Sequence, residues 1–138
     1  MDQNLILWPL VAQVILVMLL FVRLGQVKDR ARAAGAIDLE RTALDNDAWP
    51  DDCRQVANNI RNQFQVPVLF FVLVLALHSL GAVDIYALVF AWIFVATRVM
   101  HSYIHIGSNF VPARTRVFKL SVVCVVVLTA LLIRALAT

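Results

Sequence analysis

An all-α membrane protein, a four-helix transmembrane bundle, is the fold the sequence predicts, and three observations carry the prediction. Of its 138 residues, 62% are hydrophobic and only 15% charged, a balance far from that of a water-soluble domain. Apolar runs of the roughly 17–25 residues that a bilayer requires can be cut from the chain about four times. The basic residues gather beside the ends of these runs. At this length there is room for a single domain, residues 1–138, with little left over for a soluble globule.

The first span, about residues 5–24, is built on the run from Leu5 to Val22, interrupted only by Gln13. No basic segment precedes it and no small-residue cleavage site follows, so it reads as a span and not as a signal peptide. The second, about 54–80, contains the run Val66 to Leu80, too short alone but continued backwards by a helical pattern to about Asp52. Gly81 is expected to cap its C-terminus. The short link from Gly81 to Asp84 leads to a third span, about 84–105, with Asp84 placed to cap it. The fourth, about 116–137, holds the run from Phe118 to Ala137. The stretch from Ala33 to Asp52, with Gly35, Pro50 and many charges, reads as a loop.

Orientation follows from the Lys and Arg residues beside the spans, because basic residues resist translocation. Arg23, Lys28, Arg30, Arg32, Arg41 and Arg54 lie between the first two spans, and Arg98, Arg114, Arg116 and Lys119 flank the connection between the last two. Both connections are expected to be cytoplasmic and both termini to lie on the far side, against which only Arg134 speaks. The formal charge of +3 is then explained by topology and by anionic lipid headgroups, with no need for nucleic acid. A compact chain without a retention signal suggests a bacterial inner membrane. Cys53 and Cys124 are expected at different depths and unpaired.

Polar side chains on spanning helices are expensive in hydrocarbon and usually face a cavity, a partner helix or a site. On the second helix Arg54, Asn58, Arg61, Asn62 and Gln65 fall on one stripe, just before Pro67, while Val56, Ile60, Phe64 and Val66 fall largely elsewhere around the axis. On the third, Arg98, His101, Ser102 and His105 again share a face. With Lys28, Arg30 and Arg114, the two stripes are expected to converge on one basic, hydrogen-bonding cavity suited to an anionic, water-soluble ligand. The plainer alternative is that the arginines snorkel to headgroups and that Asn58, Asn62 and Gln65 bond between helices with no ligand. His101 and His105 stand four apart, a spacing two metal ligands can use. No Cys, Asp or Glu plainly completes such a set, and no metal is expected.

The segment Arg61-Asn62-Gln63-Phe64-Gln65-Val66-Pro67 resembles the second-helix signature of the MAPEG family, an Arg-Asn pair followed three positions after the Asn by Glu and then by Pro. Gly25-Gln26-Val27-Lys28 resembles the family's stretch ending in a glutathione-binding Arg. Arg98-Val99-Met100-His101, then His105 and Arg114, is similar in order and spacing to the third helix and following loop of the prostaglandin E synthase branch. The resemblance implies a homotrimer with glutathione sites between neighbouring subunits near the cytoplasmic surface, acting as a transferase or peroxidase on amphiphilic electrophiles or lipid hydroperoxides. Carried over residue by residue, it makes Lys28, Arg61, Asn62 and Gln65 contacts of the tripeptide, His101 a further polar contact, and Arg114 the stabiliser of the thiolate. The departures are Asn58 where the family has Arg, Gln65 in place of Glu, His105 where Tyr is common and Phe118 where a hydroxyl can occur. They favour a second reading, a non-catalytic trimer of the same fold that binds a lipid or a partner.

Overall fold

The structure, a computed structural model, describes residues 1–137. A 3-10 turn at Gln3–Ile6 leads into α1 (Leu7–Ala33), followed by a short α2 (Leu39–Leu44), a second 3-10 turn at Asn46–Ala48, and then α3 (Asp51–Gln63), α4 (Val66–Ser79), α5 (Ile85–Ile106) and α6 (Val111–Ala137). Among the described residues, the stretches Gln3–Ala33, Asp51–Ser79, Ile85–Ile106 and Val111–Ala137 are long and apolar enough to cross a membrane. Their outward faces carry Met18, Leu19, Val22, Leu69, Val72, Val123, Val126 and Ile133. Facing lipid, such a surface meets its own kind of solvent, and the helices keep their backbone bonds satisfied internally.

The second span is broken where the sequence pattern suggests one helix. Pro67 has no N–H to give the carbonyl four residues back, at Gln63, and its ring crowds that carbonyl. The chain answers with two tight bonds, Phe64 N to Arg61 O at 3.2 Å and Gln65 N to Asn62 O at 3.4 Å. Gln65 leaves helical geometry at φ −103, ψ −102, and Pro67 then sits in the first turn of α4, where its missing donor costs nothing. Gly81, at φ 64, closes α4 at the far end, with Ala82 N donating to Leu77 O at 2.9 Å. The last helix begins at Val111, about one turn before the expected start near residue 116. Arg114 therefore rides on the first turn of α6 and not in a connection before it.

Two apolar clusters hold the bundle. Towards the Gly81 end, Ile6, Phe70, Leu73, Val74, Leu77, Ala87, Ala91, Phe94, Cys124 and Leu128 pack together, with Phe70 and Phe94 stacked at 4.2 Å between ring centroids. Towards the arginine-rich end, Leu20, Val27, Ala31, Trp49, Cys53, Val56 and Ile60 form the other. Both cysteines are free and buried, one in each cluster.

The Gly81 end is tied together by polar contacts. Gln3 bonds Val83 through both halves of its amide, accepting from Val83 N at 2.8 Å and donating to Val83 O at 3.2 Å. Asp84 caps α5 by accepting from Ala87 N at 2.8 Å, and its other oxygen takes Arg134 of α6. Burial pushes the Asp84 carboxyl up, but the Ala87 N–H, the Arg134 guanidinium and the Tyr86 N–H outweigh it and hold it below its ordinary value of 3.8. A carboxyl depressed in the folded state contributes stability above its unfolded value and loses it as pH falls through the folded one. In detergent, Asp84→Ala is expected to lower thermal stability by about 0.5–2 kcal/mol at neutral pH. The difference from wild type should narrow only below the ordinary value of 3.8, and a difference already gone at pH 5 would contradict the assignment.

Candidate functional site

Between the two apolar clusters lies a layer of polar side chains with no access to solvent. Arg98, Gln13 and Asn59 are completely buried, and Gln63, Ser102 and His101 are nearly so. Gln63 is the hub. Its Oε1 accepts from Gln13 Nε2 at 3.0 Å and from Arg98 Nε at 3.3 Å, and its Nε2 donates to Ser102 Oγ at 2.9 Å and Asn59 Oδ1 at 3.2 Å. Ser102 Oγ also donates to Asn59 Oδ1 at 3.3 Å. Arg98 Nη2 reaches Asn62 Oδ1 at 3.2 Å. The 14 residues of α4 set this layer roughly 21 Å from the Gly81 turn at 1.5 Å per residue.

The two polar stripes of the sequence do not converge on one cavity. The α5 stripe turns inward, burying Arg98, His101, Ser102 and His105. The α3 stripe turns outward, because the face buried by α3 is that of Cys53, Val56, Asn59, Ile60 and Gln63. Asn58, Arg61 and Gln65 are exposed on the single chain, and Asn62 lies at the boundary, half-buried. Arg54, also half-buried, is engaged at the rim by Asp51 at 3.1 Å and Asp47 at 3.5 Å.

Two clefts result. The first, of about 220 Å³, runs between α1, α3 and the Asn46–Trp49 segment, and Lys28, Trp49, Arg54, Asn58 and Arg61 line it. Lys28 Nζ stands 4.3 Å from the Trp49 ring centre, a cation–π contact that steadies a long side chain without neutralising it. The second, of about 150 Å³, opens between α3, α5 and α6 and is lined by Asn62, His101, Arg114, Thr115 and Phe118. Here His101 Nδ1 donates to the Arg114 carbonyl at 3.3 Å, which fixes the proton on Nδ1, since a carbonyl only accepts. The Arg114 guanidinium is held by Asn109 Oδ1, on a residue in the left-handed region at φ 51, where Asn is tolerated better than most side chains.

Of the residues the sequence singles out, Lys28, Asn58 and Arg61 thus share the first cleft and Asn62, His101 and Arg114 the second. Arg98 and His105 are buried and line neither, although His105 packs edge-on against His101 at 5.5 Å. Gln65 lies outside both clefts, and Arg30, which the sequence reading draws towards the cavity, is exposed away from them. Gln13, Asn59 and Gln63 play no part in the stripe argument, yet they build the layer behind the clefts. The signal for Gln13 is its place as the one polar residue in an apolar run, and for Asn59 and Gln63 it is their spacing of four on the face of Val56 and Ile60.

A comparison with known protein families matches residues 6–134 to the MAPEG family. The chain belongs to the MAPEG family. With its four apolar helices, it is an integral membrane protein. No curated protein and no solved structure matches it.

The polar layer makes a prediction about stability. Gln63→Leu strands Gln13 Nε2 and Arg98 Nε, and each unpaired buried group costs about 1–3 kcal/mol. The variant is expected to unfold in detergent at much lower temperature than wild type, whereas Gln65→Ala, on the exposed side, should stay within about 0.5 kcal/mol. Equal, small shifts in both would show that the layer contributes nothing to folding.

Proposed function

We propose that this MAPEG member is a membrane-embedded glutathione-dependent transferase or peroxidase that assembles as a homotrimer and acts on amphiphilic electrophiles or lipid hydroperoxides. The observation that carries the reading is the outward turn of Asn58, Arg61 and Gln65 in the same span as the apolar α4 that follows them. Facing hydrocarbon, these groups would each cost several kcal/mol. A neighbouring subunit and an anionic ligand remove that cost together.

The residues present suit the tripeptide. Arg61 and Lys28 have no carboxylate partner among the described residues and stand beside one cleft, ready for carboxylates. Asn62 and His101 add neutral hydrogen-bonding groups in the other, and Arg114 brings a fixed charge. Glutathione, when bound, supplies a nucleophilic thiol, and only its thiolate attacks. Arg114 favours that thiolate: a free thiol with a pKa near about 8.5 is mostly protonated at neutral pH, and each unit of lowering is worth about 1.4 kcal/mol. Asn109 restrains the guanidinium that does this. Substrates dissolved in the bilayer reach the site laterally.

The second reading, a trimer without catalysis that binds a lipid or partner, draws on the Gln13–Gln63–Ser102–Asn59 network, which joins α1, α3 and α5 with no ligand at all. The two readings part on ligand binding. Glutathione at about 100 times its Kd is expected to stabilise the detergent-solubilised protein by about 2.7 kcal/mol, an effect lost in Arg61→Ala. The thiolate absorbance of bound glutathione should titrate at lower pH in wild type than in Arg114→Ala, with Arg114→Lys between them. No stabilisation in a protein that cross-links as a trimer would decide for the non-catalytic reading, and monomers alone would count against both.

A further inference from the structure

Arg98 is a residue the sequence assigns to ligand contact, but its side chain is fully buried and lines no cleft. Its reach towards the second cleft is indirect, through Asn62. A guanidinium has five N–H donors and no acceptor, so the atom of Asn62 that meets Arg98 Nη2 at 3.2 Å must be the amide oxygen. That settles which way the amide faces, which is otherwise a matter of assignment. The Asn62 nitrogen is left with no partner among the described residues, on a side chain that is half-buried at the wall of the cleft.

The orientation is locked from behind. Arg98 cannot swing away to release Asn62, because its Nε is bonded to Gln63 Oε1 at 3.3 Å, and Gln63 is held in turn by Gln13, Asn59 and Ser102. None of the nine Asp and Glu residues pairs with Arg98 among the described residues. Its charge is therefore answered by amide oxygens and by the face of the Phe118 ring at 6.0 Å, and its field extends to the cleft that Asn62 and Phe118 wall.

We propose that Arg98 is a positioning residue that fixes the polarity of Asn62, so that Asn62 offers its NH₂ to the cleft and selects a ligand presenting an acceptor oxygen, a carboxylate or an amide carbonyl, at that point. The inference rests on the glutathione reading of the site and sharpens it: the tripeptide's ammonium group is excluded from Asn62 and must lie elsewhere.

Asn62→Asp tests it, because the carboxylate is isosteric with the amide. One oxygen keeps Arg98 and gains an ion pair, while the other replaces the NH₂ facing the ligand. Thermal stability in detergent should be equal to or above wild type, and affinity for glutathione, measured by calorimetry, should fall at least about tenfold and further than in Asn62→Ala. A merely structural role would move stability and affinity together. Thr115→Asp, which puts the same charge in the same cleft without touching the amide, should cost clearly less. The inference is overturned if Asn62→Asp binds glutathione as well as wild type does, which would leave the glutathione reading standing. It is overturned equally if Thr115→Asp costs as much, since charge alone would then be at work, or if Asn62→Asp unfolds, since an aspartate against a guanidinium must hold. If wild type itself binds no glutathione, the functional reading fails and this inference with it.

Discussion

Arg98 carries a full positive charge into the interior of the bundle, where it meets two amide oxygens and no carboxylate. Desolvating an ion is costly and is recovered only when its hydrogen bonds are well made. Much of the surrounding arrangement follows from that demand. Gln63 has to face inward to accept from Arg98, and Gln13 is recruited across from α1 to complete the shared oxygen. Ser102 and Asn59 take up the other half of the Gln63 amide. Contacts among α1, α3 and α5 are thereby given a register that apolar packing alone would leave loose, since one aliphatic surface slides on another with little penalty.

The break that Pro67 makes between α3 and α4 falls beside this network. Pro67 follows Gln63 by four residues, so the hub of the network lies where the helix loses its regular bonding. The break lets the polar α3 and the apolar α4 behave as distinct elements of one span. The first buries a narrow face and shows polar groups outward, and the second buries Phe70, Leu73, Val74 and Leu77 against α5 and α6. The division gives the span a wet end and a greasy end, as the proposed function requires. The clefts lie at the wet end, backed by the polar layer and bounded by Lys28, Arg61 and Arg114.

The inward and outward stripes divide the work. On α5, Arg98, Ser102 and His105 are buried behind the clefts and only His101 reaches a wall, while α3 and the start of α6 place Asn58, Arg61, Asn62 and Arg114 along them. Asn62 is the junction: it bonds buried Arg98 and also walls a cleft. A sequence motif that lists Arg98 and Asn62 side by side conceals this difference of role. The distinction depends on depth, which hydropathy does not report for a polar residue.

The number of spans, the Gly81 cap, the Asp84 cap and the family were all legible in the sequence, because each rests on local chemistry. Apolar runs of bilayer length have few alternatives, a glycine after a helix favours positive φ, and an aspartate before one accepts its free N–H groups. That α3 carries a polar stripe was equally legible, from spacing alone. Which way the stripe faces was not, since Asn58 and Asn59 are neighbours in sequence and differ only in which side of the helix the rest of the bundle covers. Tertiary packing decided that Asn59 and Gln63 go inside and Arg61 out, that Arg98 is buried behind Asn62 where a contact was expected, and that the polar residues do not share one cavity. The physical reason is that a helix has a periodicity of its own but acquires an inside only when other helices are placed against it.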